Sequence, residues 1–521
     1  MDCCKCKKYG WEDPQEGTIP DGTGKMYCIF HAPAELKKGK EKELELEKAV
    51  YRRIGSIAAM ARRERNDIER ICNLSGTDFT CELNLAILDE EDDAFTFLTL
   101  FENCTFRKEV NCRHVQFHKD IYFTSSQFYK KVTFENAIFH SKPNFDYVIF
   151  ESKSCFCKAT FHQDVSFNSL QLYDHSDFTK TIFANAALFY NAEFYSNVIF
   201  YDTHFENDVL FNNATLDRIA TLGFIMCKVN GNFIIDDATL KGRVIFDEIH
   251  TNKHLSFKKS NIGHASFKHS KFEEPPIFEH TNLKKADFIE APIEDFKFMG
   301  CFWPESHGRV VTYDSRKIDG LGYFSLSNVE NIDFFPEEKA PSLYLLEDLY
   351  RRLKKVAKDE MDERLVSDFH YAEKEIRRLR ALRIFNDDED VRHDRDVPFT
   401  YKEMWRALRT YIILCLYKLI SGYGEAPFKA GGWLLSLCFL PLILLDLLPY
   451  PVTTGGVLEI DLWAMPFADV FQNWIYFFPL VKLPDASCAG GLSRLLMLIS
   501  QIFITIQAAL FGFALRNRFR R

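Results

Sequence analysis

The sequence predicts a multidomain chain in which a β-solenoid is joined through helices to a two-helix membrane domain. Three observations carry that expectation. Phenylalanine recurs at gaps of five and six from Phe95 onward, small or β-branched residues stand two places before it, and two long apolar runs lie near the end. With 50 Phe in 521 residues, the recurrence is a building principle rather than background composition. The mean hydropathy of −0.19 conceals a split between polar residues 1–400 and the apolar runs within 430–515. A length above 500 residues exceeds one domain. The net charge of −9 argues against a basic nucleic-acid-binding face, so no nucleic acid is expected as a partner.

The recurrence resolves into two interleaved ladders of period eleven. One runs from Phe95 through Phe106, Phe117 and Phe128 to Leu216; the other runs from Phe101 through Cys112 and Phe123 to Leu222. Every rung is Phe, Leu or Cys, and residues such as Ser126, Val132, Ala137, Ser154 and Ala159 precede rungs by two. An eleven-residue period also suits a right-handed coiled coil. Gaps of five and six, however, would turn successive Phe by about 140° and 240° around a helix, which leaves no seam. A short strand pointing residues i−2 and i inward, followed by a turn, accounts for both patterns. Repeated, it makes a solenoid with stacked Phe inside.

A five-residue beat follows at Phe257, Ile262, Phe267 and Phe272, and again from Phe278 through Leu283, Phe288 and Ile293 to Phe298. In "TNLKKADFIEAPI" (Thr281 to Ile293) the small–polar–Leu/Phe order resembles the pentapeptide-repeat family. That resemblance implies a right-handed, four-sided (quadrilateral) β-helix over 76–300. The alternation of five and six departs from the family's uniform five. Four units per coil would make the 24 rungs about six coils, roughly 29 Å long at the strand spacing. Such an array is expected to act as a rigid spacer or as a surface for an unknown protein or ligand. No nucleophile–base pair or paired carboxylates stand out, so no enzyme is expected. His118, His140 and His162 fall at outward positions and are read as solvated.

At the membrane end, "AGGWLLSLCFLPLILLDLL" (Ala430 to Leu448) carries one charge and "LLMLISQIFITIQAALFGFAL" (Leu495 to Leu515) carries none. Their lengths correspond to about 28–32 Å of helix, enough for a bilayer core. Basic residues before the first run and after the second, against a connection holding only Lys482, predict both termini on the cytoplasmic side. The expected location is therefore a cell membrane, multi-pass, with the lipid bilayer as partner. Between the runs, "DVFQNWIYFFPLV" (Asp469 to Val481) is apolar but too short to cross, and is read as re-entrant.

"SGYGEAPFKAGGW" (Ser421 to Trp433), "YRRLKKVAKDEMDERLVSDFHYAEKEIRR" (Tyr350 to Arg378) and "AALFGFALRNRFRR" (Ala508 to Arg521) come in the order found in prokaryotic pentapeptide-repeat proteins. Those proteins end in a two-span potassium-channel-like pore domain, and the chain resembles them over most of 95–521. The resemblance implies ion transport by a homotetramer. A potassium filter needs a T-V-G-Y-G-like run whose carbonyls replace the ion's hydration shell. "KLPDASCAGG" (Lys482 to Gly491) stands there instead, so potassium selectivity does not carry over. An altered or nonselective pore, a pore for another substrate, and a non-conducting membrane-anchored scaffold or sensor stay open. Lys482 would repel cations as a ring, or simply snorkel to the interface. Ser493, Met497, Gln501, Thr505, Ala508 and Gly512 share one side at helical spacing. They suit pore lining as well as close helix packing through Ala508 and Gly512.

The beginning reads MDCCKCKK with no apolar run behind it, so the thiols are expected to stay reduced and to serve as metal ligands. Cys3-x2-Cys6 and Cys28-x2-His31, with 21 residues between the pairs, suit a tetrahedral structural zinc site, with Cys4 as a substitute ligand. The expected order is a zinc knuckle at 1–34, a charged helix at 35–75, the solenoid at 76–300 and an irregular connector at 301–341. A helical hairpin at 342–384, a linker and interfacial helix at 385–429, and the two-span transmembrane domain with its re-entrant segment at 430–521 complete it.

Overall fold

The computed structural model describes residues 3–12, 15, 17–63, 70–88, 95–317, 341–387, 398–447, 474–479, 481–482 and 491–519. The chain divides into two compact units, Met1–Pro336 and Glu337–Arg521.

The first unit is a β-solenoid of about nine turns. One coil is made of four two-residue strands, Ile121–Tyr122, Gln127–Phe128, Val132–Thr133 and Ile138–Phe139. The next strand, Pro143–Asn144, lies parallel beside Ile121–Tyr122, a step of 22 residues. Most strands alternate inward and outward residues, which is why the sequence pattern has its second inward residue at i−2. All 24 rungs of the two ladders are buried, as are Ser126, Val132, Ala137, Ser154 and Ala159. Equivalent rings stack coil on coil: Phe106 on Phe128 at 4.3 Å and Phe189 on Phe211 at 4.5 Å. Each buried Phe contributes about 1.5–3 kcal/mol.

The alternation of five and six has a backbone cause. From Asn103 to Asn213, a non-glycine residue with φ near +57° recurs every eleven positions, among them Ser125, Asn136 and Tyr147. It sits in each five-residue gap, where the amide of Ser126 donates to the carbonyl of Phe123. That is a four-residue turn with a left-handed third position. The six-residue gaps turn without it. Asn and Asp fill several of these corners because they tolerate that conformation best among residues bearing Cβ.

The step is not constant. Ile71 pairs with Leu98, a step of 27, in the first coil, and Val198 pairs with Leu222, a step of 24. Ile277 pairs with Lys297, a step of 20, in the last. The longer step at 198 corrects one expectation: Leu222 takes the inward position stacked over Val198, and Phe224 is the rung facing Phe200 at 4.9 Å. The insertion brings Ala220 against the neighbouring coil. A Cβ on Gly242 would lie 2.2 Å from the Ala220 carbonyl oxygen, so only glycine fits there. The less regular stretch after Gly223 is thus the same solenoid with a shifted register.

Both ends are closed. At the N-terminal end the first strand, Ile71–Asn73, lies inside the stretch assigned to the charged helix, whose helix α1 spans Lys40–Arg63. At the other end the carboxylate of Asp314 accepts from the amides of Phe288 (3.0 Å) and Ile289 (2.9 Å), and Trp303 packs on Phe298. The sulfurs of Cys155 and Cys157 lie close together. They are separated by two along the coil and so share one face.

The second unit is helical: α2 (Leu343–Asp359), α3 (Glu363–Phe385), α4 (Tyr401–Ser421), α5 (Pro427–Leu447) and α6 (Gly491–Phe519). Leu346, Leu349, Tyr350 and Leu353 of α2 are buried, as are Leu365, Phe369, Ala372 and Ile376 of α3. The break between them is made by Met361, left-handed at φ 60°, and by Asp362, whose carboxylate caps the amide of Leu365. Within Arg494–Asn517 an 18-residue window reaches a mean hydropathy of 2.0, and α6 is long and apolar enough to cross a membrane. The apolar stretch Pro427–Leu440 of α5 is shorter. Of the region read as re-entrant, 474–479 and Val481 are described, whereas 469–473 and 480, like 483–490 of the stretch at the filter position, lie outside the described residues.

Candidate metal centre and the residues at the apolar helices

Cys3, Cys6, Cys28 and His31 are all buried, and their ligand atoms lie within 4.8 Å of one another. The pairing of Ile19–Pro20 with Met26–Tyr27 folds the chain back and brings the two ligand pairs together. His31 Nδ1 lies 3.7, 3.4 and 3.2 Å from the sulfurs of Cys3, Cys6 and Cys28, and the Cys6 and Cys28 sulfurs are 3.8 Å apart. A tetrahedral zinc with bonds of about 2.3 Å to sulfur and about 2.0–2.1 Å to nitrogen sets its sulfurs about 3.8 Å apart and sulfur to nitrogen about 3.5 Å. The donor set therefore fits the ion. Cys4, the substitute considered from sequence, is exposed and takes no part.

The imidazole is held by its other nitrogen. His31 Nε2 donates to the Ser75 carbonyl at 3.0 Å, which leaves the Nδ1 lone pair facing the thiols. Burial pushes its pKa down to about 4, so the ring is neutral, as a ligand must be. Burial pushes the Cys28 thiol up, a cost that a cation removes by binding the thiolate. Tyr9 stacks on His31, and Trp11 meets it edge-on while donating to the same Ser75 carbonyl at 3.1 Å. Asn73 donates to the carbonyls of Tyr9 and Gly10, and Gly76 has no room for a Cβ, which would sit 2.2 Å from the Tyr9 ring. The buried Lys37 ammonium donates to the Phe30 and Asp78 carbonyls. The cluster is thus seated on the end of the first coil and covers it. Sequence spacing located the four ligands, whereas the seat escaped it because Ser75 and Asn73 act through backbone and amide groups that carry no spacing signal.

In the helical unit, Gln501 lies within the apolar length of α6. Its amide donates to the carbonyls of Tyr476 (2.8 Å) and Val481 (3.0 Å). On the other side, Trp474 Nε1 donates to the Cys438 carbonyl of α5 at 2.6 Å. The short segment at 474–481 is thereby tied to both apolar helices, with Lys482 exposed directly after it. The residues proposed to share a side of α6 divide. Met497 is buried and Gln501 half-buried, while Thr505, Ala508 and Gly512 are exposed, and a Cβ on Gly512 would meet nothing within 4 Å. Close packing through Ala508 and Gly512 is therefore not made within one chain. Thr505 turns its hydroxyl back to the Gln501 carbonyl.

The segment Ser421 to Ala426 joins α4 to α5 and draws three elements together. Tyr423 donates to Glu375 of α3 at 3.0 Å, and Lys418 donates to the same carboxylate at 2.9 Å, beside Arg378. Glu425 accepts from Ser367 of α3 and from Asn517 near the end of α6. Gly424, at φ +82°, has the Phe513 ring and the Tyr417 hydroxyl 2.9 Å from where a Cβ would stand. Burial alone would raise the Glu375 carboxyl, but its hydrogen bonds from Arg378 and Lys418 outweigh that and hold it below its ordinary value. On the solenoid surface, His118, His140 and His162 stack at 4.6 and 5.1 Å, and burial with the two flanking imidazoles lowers the pKa of His140. No protein-family model, curated protein or solved structure matches this chain.

Proposed function

We propose that the chain is a membrane-embedded, ion-channel-like protein in which α5, the 474–482 segment and α6 build the pore side. The solenoid serves as a large sensing or docking body. The observation that carries the reading is Gln501, whose amide binds the Tyr476 and Val481 carbonyls within the apolar length of α6. Irregular backbone at membrane depth persists only where protein buries it or where it lines a water-filled cavity. A span, a re-entrant segment and a second span satisfy that condition. In this reading Thr505, Ala508 and Gly512, exposed on one chain, face the conduction path of a four-copy assembly. Lys482 then stands at its mouth, so selectivity is not potassium-type.

Zinc held by Cys3, Cys6, Cys28 and His31 would be structural: four protein ligands leave no open position for water. Its contribution is to hold the knuckle on the solenoid end. Cryo-electron microscopy of the full-length protein in lipid nanodiscs tests the reading. The expected result is four copies around an axial path bordered by 474–482. Monomers, or an assembly in which these segments face away from a common axis, would overturn it in favour of a membrane-anchored scaffold.

A further inference from the structure

Helix α4 has two opposite sides of different kind. Ala407, Leu414 and Ser421 are buried, and Lys418 reaches Glu375 of α3 from the same side. At about 100° per residue, Tyr401, Trp405, Ile412, Leu416 and Leu419 fall on the opposite side, within about 60° of one another. All five are exposed, from 48% at Ile412 to 75% at Tyr401. Lys402, Arg406 and Arg409 are exposed along one edge of this stripe and form no ion pair among the described residues. At the end of α4 the Leu419 carbonyl accepts from Trp433 Nε1 of α5, so the stripe runs on toward the exposed Phe428 and Trp433.

We propose that this stripe lies in the headgroup–acyl boundary of a bilayer leaflet rich in anionic lipid, with Lys402, Arg406 and Arg409 on the lipid phosphates. The inference rests on the reading of α5 and α6 as membrane segments. An apolar face bearing aromatic residues and flanked by basic ones has the composition that holds a helix in the plane of that interface. Charge decides between a lipid surface and a second copy of the chain. Glu403, the one acidic residue of α4, is engaged in capping Thr400, so pairing two stripes would oppose basic edges. Anionic headgroups complement them, and each basic side chain near such a surface strengthens binding by about fivefold.

The test uses full-length protein in vesicles of phosphatidylcholine, with and without phosphatidylglycerol, that contain a lipid carrying a photoreactive diazirine in its acyl chain. After illumination, adducts are mapped by peptide mass. Adducts at Trp405, Ile412, Leu416 and Leu419 are expected, increasing with phosphatidylglycerol. The triple variant Lys402→Gln, Arg406→Gln, Arg409→Gln should lose that increase, while adducts on α6 at Ile502 and Phe503 stay constant and report intact insertion. Labelled α6 with unlabelled α4, or α4–α4 cross-links between copies, overturns the proposal and leaves the membrane reading standing. Absence of adducts on both helices overturns the membrane reading and this proposal with it.

Discussion

Between Phe101 and Phe211 the solenoid stacks one residue type on itself coil after coil, whereas the helical unit brings Glu375, Arg378, Lys418 and Tyr423 together once. In the first case each coil repeats the contacts of the one before it, and stability is close to a sum over neighbours. In the second, a single buried carboxylate joins α3, α4 and the turn that leads to α5. Repetition makes the solenoid tolerant along its length and vulnerable at its ends, where stacking stops. Concentration makes the helical unit dependent on particular atoms.

The largest effect should come at the end of the solenoid. Structural zinc sites contribute on the order of 10 kcal/mol or more to folding. Chelation, or Cys28→Ser, should expose the amides of 17–37 and 70–84 to hydrogen exchange while those of 121–216 stay protected. Equal loss of protection over both regions would break the contrast between ends and middle. Within the array, Phe156→Ala removes a ring stacked on Phe134 and Phe178 at 5.0 and 4.8 Å. It should cost about 3–5 kcal/mol in urea unfolding, with exchange rising in the adjoining coils only.

A smaller effect is expected at Glu375. Replacing it with Gln should destabilise the helical unit by about 2 kcal/mol, below the usual figure for a broken buried pair because Lys418 is 36% exposed. The sign with pH follows from a carboxyl whose folded value is lowered. Its stabilisation is complete above the unfolded-state value and is lost as pH falls through the folded one. Thermal melts of wild type between pH 6 and about 3 should show that loss, and Glu375→Gln should flatten it. An unchanged slope in the variant would assign the acid sensitivity to other groups.

The same contrast explains what could be read in advance. The Phe ladders were legible because inward residues of short strands must recur at fixed intervals, and every rung from Phe95 to Leu216 is buried. Leu222 was misplaced because an insertion between Leu216 and Phe224 shifts the register without breaking the apolar pattern. Ser125 and Tyr147 carry the left-handed corners, and neither residue type announces that conformation. The four candidate metal ligands showed themselves through pair spacing. Ser75 and Glu375 did not, since their partners lie 44 and 48 positions away in sequence, and such contacts are set by packing rather than by periodicity. Polar residues on an apolar helix drew attention to Gln501, but its partners, two backbone carbonyls, have no side-chain signature.

In the proposed reading the helical unit conducts ions. Ion flux through sealed liposomes holding full-length protein measures it directly, with Lys482→Gln in parallel. Flux is expected from both proteins, with the variant shifted toward cations because a ring of positive charge has been removed. Intact four-copy assemblies that pass neither cations nor anions, in wild type and variant alike, would contradict it.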